Sequence, residues 1–296
     1  YAMSWEDNAW GPLHRLSNDP LPDIEPAVAR APDGTIYVVW QAMTGHHSHI
    51  RLCYLQNGRW SAPLAVTAAQ ADDWEPALAV GPDNRVWIAW DRYTSSYDIY
   101  ARSFSPASGL GPEIPVAATP LFEAYATVAV DAGSRPWIAW ETGGANWGKD
   151  LGAALGPKAP GHPLGGTRRL EIACLDGGAW KSPAAFAPTD SLAPGSTGES
   201  HPQLYTDPQG SLWMAFKRRY SRNAYRPSVS WESFLTRLDG DAWTDPLLLP
   251  YSSARASTRL SLASAAGRLW AFWPTDSRNW AFASRPFANR VIAGSL

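Results

Sequence analysis

Carboxylates recur in this chain at a fixed distance from aromatic residues, and such a column can bring acids close enough to share protons. Five apolar stretches with strand-like alternation end in Trp40, Trp90, Trp140, Phe216 and Trp273. Seventeen residues before the first four stand Asp23, Asp73, Glu123 and Glu199, with Ala256 in that place in the fifth. Fifteen residues before stand Glu25, Glu75, Tyr125, His201 and Thr258, and Arg259 follows the last. Carboxylates crowded around a low-dielectric mouth cannot all ionise, so some are expected to keep protons near neutral pH. A pair of them suits glycoside hydrolysis, one acid protonating the leaving oxygen while the other serves as base or nucleophile. The unlike members suit another reaction, in which His201 or Tyr125 takes a proton beside a uronate and Arg259 neutralises the acid group. Several oxygens together could also hold Ca²⁺. The residues leave all three open.

The elements that must position these groups follow from self-similarity at a period near fifty residues, the mark of a propeller or solenoid. The units read D-I-E-P-A-V-A-R-A-P-D-G-T-I-Y-V-V-W (23–40), D-W-E-P-A-L-A-V-G-P-D-N-R-V-W-I-A-W (73–90), E-A-Y-A-T-V-A-V-D-A-G-S-R-P-W-I-A-W (123–140) and E-S-H-P-Q-L-Y-T-D-P-Q-G-S-L-W-M-A-F (199–216), with a shorter relative at 260–273. Each holds two short strands around a turn such as Pro32-Asp33-Gly34, whose residues supply the backbone angles of a hairpin. Third strands are expected at 49–55, 98–104, 170–175, 233–238 and 289–296, and fourth strands at 62–67, 113–117, 183–187 and 247–250. Four antiparallel strands per unit, repeated radially, make propeller blades. The expected fold is therefore all-β, a five-bladed β-propeller in one domain, with blades near 23–67, 73–117, 123–187, 199–250 and 258–296. The fifth unit lacks a fourth strand, and residues 10–16 resemble 60–66. They are expected to pair with the last blade and close the ring, removing two exposed edges.

In such a ring the first strand of each blade lines the central channel. Positions −17 and −15 lie at its entrance and, two apart on an extended chain, are expected to point the same way. The −17 and −15 residues, with Arg259 and Thr258, would then converge at one mouth, where the Ca²⁺ option would also lie; no other cofactor is expected. Near-identity of the first two units argues that Asp23, Glu25, Asp73 and Glu75 serve architecture, since catalysis needs unlike residues in unlike roles. Tyr125, His201 and Arg259 break the pattern and are the sharper candidates.

The loops after the aromatic ends face the same mouth and are uneven. Arg92 stands in the short loop at 91–97, and Glu141 opens the Gly- and Pro-rich loop at 141–169. Residues 217–231 and 274–288 gather arginines with aromatic residues, and long loops without their own secondary structure are usually functional or disordered. Arg218, Arg219, Trp231, Arg278 and Trp280, with Glu25, Glu75, Arg92, Glu141 and Arg259, are the expected substrate-binding set. Forked guanidinium groups suit carboxylate, sulfate or phosphate, and aromatic faces suit sugar rings. Arg222, Arg226, Tyr220, Tyr225 and Arg285 add to the same loops.

Composition narrows the partners. A net charge of −2 gives no whole-molecule case for nucleic acid or membrane binding. No apolar run approaches the roughly 20 residues of a membrane span. The two cysteines, Cys53 and Cys174, fall in third strands of non-neighbouring blades, too far apart for a disulfide. Two of the histidines at His46, His47 and His49 would share a strand face, too few for a zinc site. The chain starts at Tyr1, without Met, which fits a removed leader; the expected protein is a secreted or periplasmic monomer that binds a saccharide or other small anion.

The D-x-E-P-A-x-A-x-x-P-D-G-x-I-Y-V-V-W unit resembles blades of sialidase-like, BNR-type propellers. The turns at 176–180 and 239–243 are similar to shortened Asp-boxes, which in those proteins lie away from the active site. A sialidase would imply six blades, an arginine triad and a Tyr–Glu pair, and only Arg259 and the loop arginines match here. Five blades with carboxylates around the mouth resemble arabinanase- and invertase-like glycosidases; Asp23, Asp73 or Glu75, and Glu123 or Glu199 would then be the acids. The whole chain, including W-P-T-D-S-R at 273–278, is also similar to propeller modules that precede a phosphoesterase-like domain in bacterial proteins of unknown function. The expected function is thus a glycoside hydrolase or lyase acting on an anionic saccharide. In that case Asp23, Asp73, Glu123, Tyr125, Glu199 and His201 form the catalytic set, with Arg259 and Arg218 as anion anchors. The alternative is a non-catalytic binding module of a larger protein.

Overall fold

The computed structural model describes residues 1–145, 168–183, 196–221, 229–252, 259–275 and 290–295. These form five antiparallel sheets in chain order and a short N-terminal hairpin. The first sheet runs Asp23–Arg30, Ile36–Thr44, His47–Gln56 and Arg59–Trp60, and the second Asp72–Val80, Val86–Tyr93, Tyr97–Ser105 and Gly109–Leu110. The third runs Phe122–Val130, Pro136–Gly143, Arg169–Asp176 and Ala179–Lys181. The fourth runs Ser196–Thr206, Leu212–Ser221, Val229–Asp239 and Ala242–Trp243, and the fifth Ser261–Ala265, Arg268–Thr275 and Arg290–Ser295. The place expected for a single fourth strand is split in three sheets. There, Leu64–Ala65, Ile114–Ala117 and Leu247–Leu248 pair with the third strand beyond the short piece already named. Residues 184–187 lie outside the described residues.

The second and third sheets are packed against a neighbour on both faces, which explains why their second strands are apolar at almost every position. Tyr37 and Val39 of the first sheet pack with Val86, Ile88 and Trp90 of the second. Trp87 and Ala89 turn the other way and meet Ile138 and Trp140 of the third. Trp137 and Ala139 meet Met214 and Phe216 of the fourth, and Ala215 meets Ala271 and Trp273 of the fifth. The aromatic end of each second strand thus fills the space against the preceding sheet. Trp40, first in the series, packs instead with Leu16 and Trp60. Trp90 has no exposed surface, and burying a ring of this kind contributes several kcal/mol at about 25 cal/mol per Å² of apolar area.

The expected closing strand is not formed among the described residues. Asp7 and Asn8, both at positive φ, turn the chain so that Trp5 pairs with Trp10. A bridge between Ala2 and His14 extends this pairing. The tight turn therefore folds residues 9–10 back on their own neighbours, and Leu16 joins the first sheet's core rather than the last sheet's edge. Cys53 and Cys174 are free and buried.

Candidate functional site

The spacing of seventeen is a consequence of cross-strand register. Asp23, Asp73, Glu123 and Glu199 pair with residues 42, 92, 142 and 218, two beyond the aromatic end on the same face. Asp23 and Asp73 accept the indole N–H of Trp40 and Trp90, each at 2.9 Å. Asp73 also holds Arg92 at 2.7 Å and has no exposed surface. In the fourth sheet the aromatic is Phe216, which has no N–H, and Arg218 donates to Glu199 instead at 2.7 Å. Glu123 accepts from the hydroxyl and amide of Thr119 at 2.7 and 3.1 Å. Burial raises Glu199 to about 7 in spite of Arg218, and burial likewise raises Glu123 against the hydrogen bonds from Thr119.

Positions −17 and −15 do not point the same way, contrary to expectation. The first strand of each of the first four sheets carries a register shift just after the −17 residue, between residues 24 and 27, 74 and 77, 124 and 127, and 200 and 203. Glu25, Glu75, Tyr125 and His201 occupy these bulges at φ 49°, 45°, 59° and 53°, the left-handed region that non-glycine residues avoid. An extra residue in one strand re-aims the side chains that follow it. The −15 residues therefore reach the channel while the −17 residues stay under the sheets. A cavity of about 380 Å³ is lined by Glu25, Glu75, Tyr125, His201 and Arg259 with the residues that follow them. Asp23, Asp73, Glu123 and Glu199 are not among its walls.

Three of the bulges, at Glu75, Tyr125 and His201, are held from the preceding sheet by the residue that follows its aromatic end. Gln41 Oε1 accepts from the amide of Glu75 at 3.3 Å. Asp91 accepts from the amides of Tyr125 and Ala126 at 2.8 and 3.2 Å, and Glu141 from that of His201 at 2.6 Å. Of this column only Glu141 is among the expected site residues. Its signal is visible: Gln41, Asp91, Glu141 and Lys217 are polar residues closing otherwise apolar strands, and all four are buried. Strained backbone persists where surroundings over-determine it, and Gln41, Asp91 and Glu141 do so.

Around the cavity the charges divide. Arg259 reaches Glu25 at 2.9 Å and Glu75 at 3.4 Å. Burial raises Glu75, with Arg259 opposing and Glu25 reinforcing the shift. Tyr125 and His201 stack, with ring centroids 4.9 Å apart and planes at 22°. His201 Nδ1 lies against the hydroxyl of Ser200 and 3.2 Å from Glu141 Oε1. Glu141 also accepts from Ser200 Oγ and from Arg168 Nη1, each at 2.7 Å. Burial opposes the charge on Glu141, but His201, Arg168 and Ser200 together hold it below the usual carboxylate range. Tyr125 is raised by burial and by the charges of Glu75, Glu141 and Asp91, so it keeps its proton at neutral pH. Lys217, pushed down to about 8 by burial, stands 5.5 Å from the ring of Trp231, with Arg168 at 5.1 Å over the same ring.

Arg92 and Arg218 lie apart from the cavity walls. Arg92 is engaged by Asp73 and by Glu113 at 2.8 Å and sits over Tyr100. Arg219 is half-buried opposite Trp231 in the sheet register. Arg278, Trp280, Arg222, Arg226, Tyr225, Arg285 and Thr258 lie outside the described residues. His47 and His49 stand 3.4 Å from Asp72 and 3.9 Å from Asp73. Among the described residues no group of three or more His, Cys, Asp or Glu side chains is placed to hold a metal ion, in the channel or at this cluster.

Radially repeated antiparallel sheets around a channel make this chain an all-β propeller. Solved structures share that fold. An ulvan lyase, described as a polysaccharide lyase of a new family with -[GlcA(1-4)Rha3S]- bound, matches 93% of this chain with a TM-score of 0.60 at 12% identity. This chain spans 66% of that lyase's length. A protein of unknown function from Dyadobacter fermentans matches 94% of the chain and 80% of its own, with a TM-score of 0.59 at 10% identity. A levansucrase mutant of B. megaterium matches 93% of the chain and 85% of its own, with a TM-score of 0.51 at 10% identity. No protein-family model and no curated protein matches the sequence.

Proposed function

We propose that this propeller acts on an anionic, uronate-containing saccharide by β-elimination at the channel mouth. The observation that carries the reading is the stacked Tyr125–His201 pair in the cavity wall, with His201 Nδ1 engaged by Glu141 and Ser200. That arrangement leaves Nε2 as the ring nitrogen for a substrate proton and fixes the imidazole's orientation. In the reaction His201 Nε2 takes the proton from the carbon next to the uronate carboxylate. The electron pair forms a carbon–carbon double bond, the bond to the glycosidic oxygen breaks, and the Tyr125 hydroxyl protonates that oxygen. A tyrosine that holds its proton at neutral pH suits the donor's role. Arg259, exchanging Glu25 or Glu75 for the uronate carboxylate, lowers the acidity barrier of the neighbouring carbon.

Hydrolysis is less well supported, because the −17 carboxylates are absent from the cavity walls and Glu25 and Glu75 are both tied to Arg259. The same bridge favours, as second reading, a binding module without chemistry of its own. The proposal keeps a single five-bladed domain, monomeric and secreted or periplasmic, as a polysaccharide substrate outside the cell requires. The test is a product assay on uronic, sulfated and neutral polysaccharides. Elimination gives new ultraviolet absorbance from a double bond conjugated to the carboxylate. Reducing ends without absorbance indicate hydrolysis, and binding without either indicates the module.

A further inference from the structure

A second cavity, of about 250 Å³, opens between the first strands of the second and third sheets. Its walls are Trp74, Tyr97, Phe122, Ala124 and Tyr125, with the carboxyl groups of Glu75 and Asp91. Glu75 and Tyr125 also wall the central cavity, so the two spaces share a partition. Resting on the reading above, we propose that this side cavity is a subsite for one uncharged pyranose ring, next to the anionic ring in the channel.

Three observations carry it. The walls are aromatic and already arranged as a surface: Tyr97 lies 4.9 Å from Tyr93 and 5.3 Å from Phe122 between ring centroids. Aromatic faces recognise the apolar face of a sugar while polar groups at the edge meet its hydroxyls. The indole N–H of Trp74 is buried and has no hydrogen-bond partner among the described residues, and a buried donor of this kind is costly unless something accepts from it. Trp74 walls this cavity, and a sugar hydroxyl would be such an acceptor once the indole turns its N–H toward it. Finally, charge selects the occupant. The cations Arg168 and Lys217 gather around Trp231 and Glu141, and neither walls this cavity. The residues that wall the side cavity include the carboxyls of Glu75 and Asp91 and no cation, so a second anion would find no partner there. At ~30 Å³ per water the space equals about eight water molecules, a size suited to a single ring rather than a chain.

The experiment compares affinities by titration calorimetry for glucuronate and for a disaccharide joining glucuronate to an uncharged sugar. Two variants are used, Tyr97→Ala, which removes a wall, and Trp74→Phe, which keeps a ring and removes the N–H; thermal melts confirm folding. The ratio of disaccharide to monosaccharide affinity is expected to fall about 10-fold in Tyr97→Ala, as for loss of a ring-stacking contact. A fall of about 3-fold to 10-fold is expected in Trp74→Phe, the size of one hydrogen bond. An unchanged ratio in the folded variants overturns the subsite; if Tyr97→Ala does not fold, Trp74→Phe decides. Failure of the parent reading is separate, since it shows as glucuronate binding and turnover indifferent to His201→Ala.

Discussion

Replacing Glu141 by Gln tests how the site is held together. The carboxylate accepts four donors: Ser200 Oγ, the His201 amide, His201 Nδ1 and Arg168 Nη1. A Gln side chain keeps one acceptor oxygen but turns an NH₂ toward either Arg168 or His201, setting donor against donor. The loss is a charge-assisted bond between two largely buried groups, with side-chain exposures of 11% and 0%. Breaking one partner of a buried pair costs about 3–5 kcal/mol. At about 2 °C per kcal/mol for a chain of this size, the midpoint of thermal unfolding should fall by about 6–10 °C at neutral pH. The pH dependence fixes the sign. Glu141 titrates below its unfolded value, so its contribution is present above that value and lost as pH falls through the folded one. The difference between wild type and variant should therefore be largest near neutrality and shrink below about pH 4. Thermal melts across that range are the assay. Equal midpoints at neutral pH, or a difference that grows in acid, would refute the reasoning. On a uronate substrate the variant should also lose about 10-fold to 100-fold in turnover, part of what a positioned general base contributes.

Other outcomes follow from the same contacts. Trp40→Phe removes the indole N–H that Asp23 accepts and leaves a smaller ring in a buried position; a loss of about 2 kcal/mol in urea unfolding is expected, with saccharide binding unchanged. Asp73→Ala strips Trp90 and Arg92 of their shared carboxylate and should cost about 3 kcal/mol or more, while the folded fraction still binds ligand. Asp91 is raised to about 8 and Glu199 to about 7, mainly by burial. Because both are raised, the native state binds more protons than the unfolded chain above about pH 4. Their contribution is complete below that pH and is lost as pH rises through the folded values, so urea midpoints in Asp91→Asn should fall less steeply than in wild type between about pH 4 and pH 8.

The spacing between Asp73 and Trp90 was legible because it is a property of one hairpin: a fixed register sets both on the same face, and the repeat shows it several times. The direction of Glu75, Tyr125 and His201 was not legible. Period-two reasoning assumes a regular strand, and nothing about Glu, Tyr or His announces a left-handed backbone angle. The residues that impose it, Gln41, Asp91 and Glu141, act across sheets from 34 to 60 positions away, beyond any local pattern. The N-terminal segment misled for a local reason. Its likeness to 60–66 suggested a strand for the last blade, yet the Asp7–Asn8 turn satisfies its backbone within the hairpin. Of the uneven candidates, Tyr125, His201 and Arg259 do share one cavity, whereas Arg92 shares a buried cluster with Asp73.

The central claim is that the bulge residues, not the regular carboxylates beneath them, carry the chemistry. It is tested most directly by the initial rate of ultraviolet absorbance increase on a uronate polysaccharide, measured for wild type, His201→Ala and Glu123→Gln in parallel. The account predicts a rate that drops by at least about 100-fold in His201→Ala and stays near wild type in Glu123→Gln. A His201→Ala rate equal to wild type, with Glu123→Gln inactive, would contradict it.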